Sequence, residues 1–284
     1  MDTEKTFAVL IDADNISAKY IKVIMDEISN EGVATYKRIY GDWTKGALDS
    51  WKKILLEYSI LPIQQYSYTV GKSSTDSALI IDAMDILYTN KVSGFCLISS
   101  DSDFTRLAAR LRESGMTVIG MGEQKTPAPF IKACNQFKYL DKLFDNVQKN
   151  SREDDKPATS KSPVSAECDK TEESATDLFT IRKAIRNLVI ENSDEDGWII
   201  GSQLGDLLLK RYPDFDVRNF GFSKMTSFIK SLDAYELRYE NKGLSRLVFI
   251  RLKPMPEPEI RLAPAPETVK KRPVRNIRSN KNGK

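Results

Sequence analysis

The chain has 284 residues, with 43 Lys/Arg against 40 Asp/Glu and no histidine. That length accommodates one substantial domain and one small one, each with its own core. The missing imidazole excludes Ser-His-Asp and Cys-His nucleophile systems, His-ligated zinc and imidazole acid/base catalysis. Chemistry in this chain falls to carboxylates, lysine, hydroxyls, water or a metal.

No apolar run approaches the length of a membrane span. The N-terminus, MDTEKTFAVLID, carries acids where a signal peptide needs a basic start, so a cytoplasmic protein is expected. Cys96, Cys134 and Cys168 form no CxxC pair and read as two core thiols and one linker thiol. Charge is unevenly spread. Residues 1–145 hold 17 basic and 19 acidic side chains, whereas residues 253–284 hold nine basic and three acidic. A basic tail on a near-neutral body suggests a polyanionic partner.

Residues 7–145 alternate short apolar runs with helical patterns, the signature of a parallel α/β sheet. FAVLI (7–11) reads as a buried strand, and Ile16, Tyr20, Val23, Ile24 and Ile28 follow at helical spacing up to Gly32. VATYKRIY (33–40) is a second strand. Leu48, Trp51, Leu55 and Tyr58 mark a helix, and ILPIQQYSY contains a third strand. After Gly71 a helix runs through SALIIDAMDILY. Strand GFCLIS (94–99), a helix ending at Gly115, strand MTVIGM (116–121), a helix after Pro129 and a short strand in FKYLD complete the domain.

From about Asn146 to Thr176 the sequence is Ser, Thr, Pro, Lys and acid, and reads as a flexible linker that leaves the flanking domains to tumble semi-independently. Three helical patterns follow. Their stripes are Ile181/Ile185/Leu188, Leu204/Leu207/Leu208 and Met225/Phe228/Ile229/Leu232, with Ser202 and Ser223 as candidate N-caps. YELRYENKGLSRLVFIRL then reads as strand, turn and strand, which makes a winged helix-turn-helix the expected architecture. The expected divisions are thus 1–145, a linker at 146–176, a winged helix at 177–253 and a basic tail at 254–284.

Two strands end in acid: FAVLID delivers Asp12, and CLISSD delivers Asp101. In an open parallel sheet, ligands bind outside the carboxyl ends of the strands, so both side chains belong to the functional rim. Asp103 lies two residues on, and Asp76 opens a helix that leaves the same rim. Taken singly, Asp14 and Asp103 also read as helix caps. Asp82 lies well around the helix from Asp76 and is expected to play a supporting or structural part. Four converging carboxylates repel one another unless a cation compensates them, and all-oxygen ligation suits Mg²⁺ or Mn²⁺. Such a metal can activate water against a phosphodiester. Neither GxGxxG nor GxxxxGK[ST] occurs.

At these residues the sequence resembles a known family. LIDADNIS, STDSALIIDAMD, LISSDSDFTRLAARLRESG and KACNQFKYLD together are similar to the NYN domains, the LabA-like branch of the PIN-like nucleases, over roughly residues 5–145. The resemblance implies a PIN-like α/β/α sandwich with a mostly parallel sheet and metal-dependent cleavage of RNA. By position it assigns Asp12, Asp76, Asp101 and Asp103 to metal and catalysis, and Asn15 to orienting water or phosphate. Residues 177–252 resemble an OST-HTH (LOTUS) winged helix, notably GWIIGSQLGDLLLKRYPDF and FGFSKMTSFIKSL, a class associated with RNA binding. Lys72, Lys224, Arg238, Lys242 and Arg246 are then the expected phosphate contacts.

The expected function is a Mg²⁺- or Mn²⁺-dependent ribonuclease with RNA as partner and no membrane association; oligomeric state is left open. Two alternatives stand beside it. One is a non-catalytic RNA-binding adaptor whose acidic pocket is structural. The other is a phosphatase with Asp12 as nucleophile.

Overall fold

A computed structural model describes residues 4–66, 74–153, 176–242 and 245–253. Residues 1–253 form one compact unit. Its first part is a six-stranded sheet. The elements are β1 (Thr6–Asp12), α1 (Ile21–Glu31), β2 (Val33–Gly41), α2 (Asp49–Lys52), β3 (Leu61–Gln64), α3 (Ser74–Tyr88), β4 (Gly94–Ile98), α4 (Thr105–Glu113), β5 (Thr117–Gly122), α5 (Ala128–Ala133), β6 (Gln136–Tyr139) and α6 (Leu140–Glu153). The strand order is β3-β2-β1-β4-β5-β6 and every pairing is parallel.

The central strands are apolar on both faces because helices cover both. Phe7, Val9 and Ile11 of β1 pack with α1, α2 and α6, whereas Ala8 and Leu10 pack with α3, α4 and α5. The same alternation divides Cys96 and Ile98 from Phe95 and Leu97 in β4. Right-handed crossovers explain the layers. From β1 the chain winds outward through β2 to β3, returns by α3 to β4 beside β1, and winds out the other way. Cys96 and Cys134 are free and buried. Burial pushes both thiols up to about 12, so neither serves as a nucleophile at neutral pH.

The second part comprises α7 (Leu178–Asn192), β7 (Trp198–Ile200), α8 (Gly201–Arg211), α9 (Met225–Ser231), β8 (Tyr235–Lys242) and β9 (Ser245–Leu252). Its antiparallel sheet has the order β7-β9-β8. The three expected helical stripes meet in one core around Phe228, Ile185 and Leu204. Phe215, Phe220, Phe222 and Phe228 form an aromatic cluster with centroid separations of 5.3 to 6.3 Å. This is the helix-and-wing arrangement expected, with β7 added.

Several local expectations are corrected. Neither Ser202 nor Ser223 caps its helix: Ile200 and Lys224 hold the N-cap positions of α8 and α9, without a side-chain cap bond. The helix expected around Leu48 to Tyr58 is a 3-10 turn and the single turn α2, followed by further turns. Most consequential, α6 runs to Glu153, well into the stretch read as linker. Residues 154–175 and the basic tail lie outside the described residues.

The two parts are also joined rather than independent. The Phe137 amide of edge strand β6 donates to the Pro213 carbonyl at 2.7 Å, giving that edge a partner. The Tyr139 hydroxyl donates to Asp214 at 3.1 Å, and Asp214 also accepts from Thr176. On the opposite face Lys138, 4% exposed, pairs with Glu27 at 2.8 Å and with Glu31 at 2.7 Å. Arg218 reaches across from the second part to Glu27, 3.0 Å from Nη2 to Oε2, and also binds Asp216. Burial disfavours charge on Glu27, but the hydrogen bonds from Arg218 and Lys138 prevail and hold its carboxyl at about 2.

Two predictions follow from this packing. A carboxyl depressed from its ordinary 4.5 to about 2 contributes stability that is fully present above pH 4.5 and lost as pH falls towards 2. Between those limits the wild type should lose about 3 kcal/mol more unfolding free energy than Glu27→Gln, as read by denaturant titration at a series of pH values. Separately, a Cβ on Gly120 would lie 2.5 Å from a Phe137 ring carbon and 2.7 Å from the Cys134 sulfur. Gly120→Ala should therefore cost about 1–3 kcal/mol, measured as a lower unfolding midpoint.

Candidate active site

Because the chain leaves β1 and β4 in opposite directions, a crevice opens at the carboxyl ends of these neighbouring strands. The acids gather there. Asp12 is the last residue of β1, Asp101 lies three residues beyond β4, and Asp76 is in the first turn of α3. Oxygens of Asp76, Asp101 and Asp103 all lie within 4.8 Å of one another. Among the described residues this is the group of carboxylates close enough to share a cation.

The loop after β4 explains how two of the three come together. Asp101 has extended backbone and caps the 3-10 turn Ser102–Phe104, its Oδ1 accepting the Asp103 amide at 2.9 Å. The cap is thus Asp101, and Asp103 is the residue it holds. Asp101 is half-buried and Asp103 exposed.

Asp12 stands behind this group instead of within it. It is 0% exposed. Its Oδ2 accepts from Asn15 Nδ2 and from Ser99 Oγ, both at 2.7 Å, and its Oδ1 accepts the Asp14 amide at 3.2 Å. Ser99 Oγ in turn accepts the Asp101 amide at 3.0 Å. A single hydroxyl therefore connects the buried carboxylate of β1 to the loop that carries Asp101. Burial raises the Asp12 pKa, hydrogen bonds from Asn15 and Ser99 oppose the rise, and the charges of Asp76 and Asp14 add to it. A carboxylate so enclosed does not offer an attacking oxygen to a phosphomonoester, which speaks against a phosphatase with Asp12 as nucleophile.

The Asn15 side-chain amide donates to Asp12. Asp14 is drawn to the site by a route not foreseen: Thr75 Oγ1 donates to Asp14 Oδ2 at 3.1 Å, tying the start of α3 to the β1 loop beside Asp76. Asp82 is structural, accepting from Arg38 and from Tyr40 of β2. Ser99 carried a faint signal, being the polar residue that follows a fully buried strand in CLISS. Its double role is a tertiary fact.

Of the expected phosphate contacts, the side chains of Lys224, Arg238 and Arg246 are described. Lys72 lies outside the described residues, as does the side chain of Lys242. Lys224 is exposed at the N-cap of α9. Arg238 pairs with Glu240 and lies over the rings of Trp198 and Phe249, and Arg246 lies 4.2 Å from the centroid of Tyr239. No helix of the described residues is long and apolar enough to cross a membrane.

Three carboxylates on the rim of a doubly wound parallel sheet, joined to a small winged helix, define a two-part α/β protein with an acidic centre. Family models place it further. Residues 6–141 match the NYN domain family, and residues 176–246 match the OST-HTH/LOTUS domain family. None of the curated proteins compared matches the chain. Among solved structures, a protein of unknown function from Vibrio parahaemolyticus shares 18% identity at a TM-score of 0.41, over 48% of this chain and 93% of its own.

One test isolates the hydroxyl at the centre. Ser99→Ala removes a donor to Asp12 and an acceptor for the Asp101 amide, both in or beside a buried environment. It should destabilise the fold by about 1–3 kcal/mol in denaturant titration. The Asp12 carboxyl should titrate still higher by carbon NMR, since a bond favouring its ionised form is gone.

Proposed function

We propose that this protein is a metal-dependent ribonuclease acting within the RNA strand, with the second domain and the basic tail holding RNA. The observation that carries the proposal is the meeting of Asp76, Asp101 and Asp103 within 4.8 Å at the point where the sheet reverses its winding. Three hard, anionic oxygen donors so close together repel, and a divalent cation such as Mg²⁺ or Mn²⁺ relieves that repulsion, so the donor set fits the metal. When bound, such an ion supplies Lewis-acid stabilisation of a phosphodiester under attack and lowers the pKa of water.

The chain's own residues divide the remaining work. Asp76, Asp101 and Asp103 would hold the ion. Asp12 sets the position of Asn15 and, through Ser99, of the Asp101 loop. The bond from Thr75 to Asp14 keeps the first turn of α3 against that loop. The exposure of Asp103 leaves the acids open to an approaching phosphodiester. The OST-HTH/LOTUS match supports RNA as the substrate class.

The test compares wild type with Asp76→Asn and Asp101→Asn on labelled single-stranded and structured RNAs, in Mn²⁺, Mg²⁺ or EDTA. Cleavage should require the divalent ion and fall by about two orders of magnitude or more in each variant. For Asp101→Asn, which keeps an oxygen to cap the Asp103 amide and removes one of three mutually repelling charges, the metal-free unfolding midpoint should be unchanged or raised, which separates lost chemistry from lost fold. Undiminished cleavage by Asp101→Asn would overturn the assignment. RNA binding without turnover in any metal would leave a non-catalytic adaptor with a nuclease's fold.

A further inference from the structure

We propose that a basic groove between the two parts of residues 1–253 is a second binding site for the substrate: a track for single-stranded nucleic-acid backbone centred on Arg112, Lys132, Lys210 and Arg211. The proposal rests on the ribonuclease reading for the identity of its polyanion. It does not rest on cleavage.

Three clefts adjoin here. One of about 740 Å³, where α5 faces α7 and the end of α8, shares Lys132, Arg211 and Pro213 with a second of about 320 Å³. The second shares Arg112 and Asn135 with a third of about 530 Å³ along the end of α4. Shared walls make them one continuous depression. Its middle section is lined by all four cations and by no carboxylate. Acids occur only in the flanking sections, and one of them, Asp214, is already bound to Thr176 and Tyr139.

The four cations are exposed, and every ion pair found among the described residues involves other side chains. Arg112 is oriented by its Nη1, which donates to the carbonyls of Lys132 and Ala133 at the end of α5. The wing differs: Arg238 and Arg251 are paired with Glu240 and Glu236.

Local electrostatics accounts for part of this pattern. Lys and Arg in the last turns of α4, α5 and α8 complement the helix dipoles. Dipoles do not account for cations from three such ends, in two domains, meeting in a section that holds no acid. The bond from Phe137 to Pro213 and the pairing of Arg218 with Glu27 hold them together despite the like charge. A bound polyanion would remove that cost.

The groove is also placed to serve the acidic centre. Helix α4 begins just beyond Asp101 and Asp103 and ends at Arg112 and Glu113, a length of roughly 14 Å. Arg106 and Arg110 are exposed on the same helix, one turn apart, but at 3.6 residues per turn they lie roughly on its opposite side from Arg112 and are not part of the groove. The small middle section has room for a nucleotide or two and not for a duplex.

The test uses the full-length protein, fluorescein-labelled oligouridine RNA, EDTA and a series of salt concentrations, with affinity read by anisotropy. The variant Lys132→Glu/Lys210→Glu/Arg211→Glu changes only exposed side chains. Its unfolding midpoint is checked against wild type, and Lys132→Arg/Lys210→Arg/Arg211→Lys controls for folding because it keeps the charge. At about 0.7 per phosphate contact on a single strand, losing three contacts should lower the slope of log K against log salt by about 2. Affinity at 0.1 M salt should fall roughly a hundredfold, while the charge-retaining variant matches wild type.

Unchanged affinity and slope in the charge-reversed variant would overturn the proposal. So would a wild type that ignores the RNA strand but binds polyglutamate, which would make the groove a protein-docking site. Cleavage in Mn²⁺, assayed separately, distinguishes the two readings. Groove-dependent binding without cleavage would sink the nuclease and spare the groove, whereas undiminished cleavage by the triple variant at sub-saturating RNA would do the reverse.

Discussion

The structure turns on a carboxylate kept where carboxylates are costly. Asp12 ends a strand whose other residues from Phe7 onward are fully buried, and it is itself fully buried. Leaving such a group without partners would cost several kcal/mol, so the fold surrounds it with donors. The amides and hydroxyls that satisfy Asp12 come from Asp14, Asn15 and Ser99. Each fixes a piece of backbone on the rim. The β1 loop folds back over its own aspartate, and Ser99 brings in the loop after β4. Once those loops are fixed, Asp101 and Asp103 have one place to be, and Asp76 meets them there. The buried acid thus organises the exposed ones, at an energetic cost that the apolar sheet around it can bear.

Much of this was legible because a parallel sheet writes itself plainly. FAVLI, GFCLIS and MTVIGM are apolar on both faces, which only a doubly covered strand tolerates, and the helices between them keep a clear period. The acids at the strand ends were readable for the same reason, as the first polar residues after runs that have none. What could not be read is which acids touch. Asp12 and Asp101 each follow an apolar run, but the register pairs Ile11 with Ile98, so Asp12 lies level with Ser99 and is buried, while Asp101 lies two residues further out on the rim. No spacing rule reports the Ser99 hydroxyl that joins the two. The NYN resemblance implies the acids as a set and does not divide their parts.

The misread segment is equally instructive. Leu140, Leu143, Phe144 and Val147 stand at helical spacing, but they follow FKYL directly, with no cap or turn between strand and helix. Composition then falls to polar residues, which suggests a boundary where the helix in fact continues. The helix persists because its apolar residues have a partner: Leu140 and Leu143 are buried in the core with α1, and Phe144 packs its edge against the Tyr20 ring. Tertiary packing overrode a compositional cue.

A linker of polar composition had implied independent domains, and the described residues argue for something stiffer. Lys138 is buried on the α1 face of an edge strand, where an unpaired ammonium is not tolerated, so Glu27 and Glu31 are needed. Glu27 then has a second oxygen to satisfy, and Arg218 of the other domain meets that need. The dependence runs both ways: the first domain cannot bury Lys138 well without Glu27, and Glu27 is best satisfied when the second domain is docked. Covering the β6 edge with Pro213 adds a backbone constraint at a second point. Two constraints at separate points fix an orientation, where one would permit a hinge. On the proposed ribonuclease reading, fixed geometry between the two domains would limit which phosphodiester reaches the acidic rim, and the segment from Pro213 to Arg218, which adds no acid to that rim, would matter through the orientation it sets.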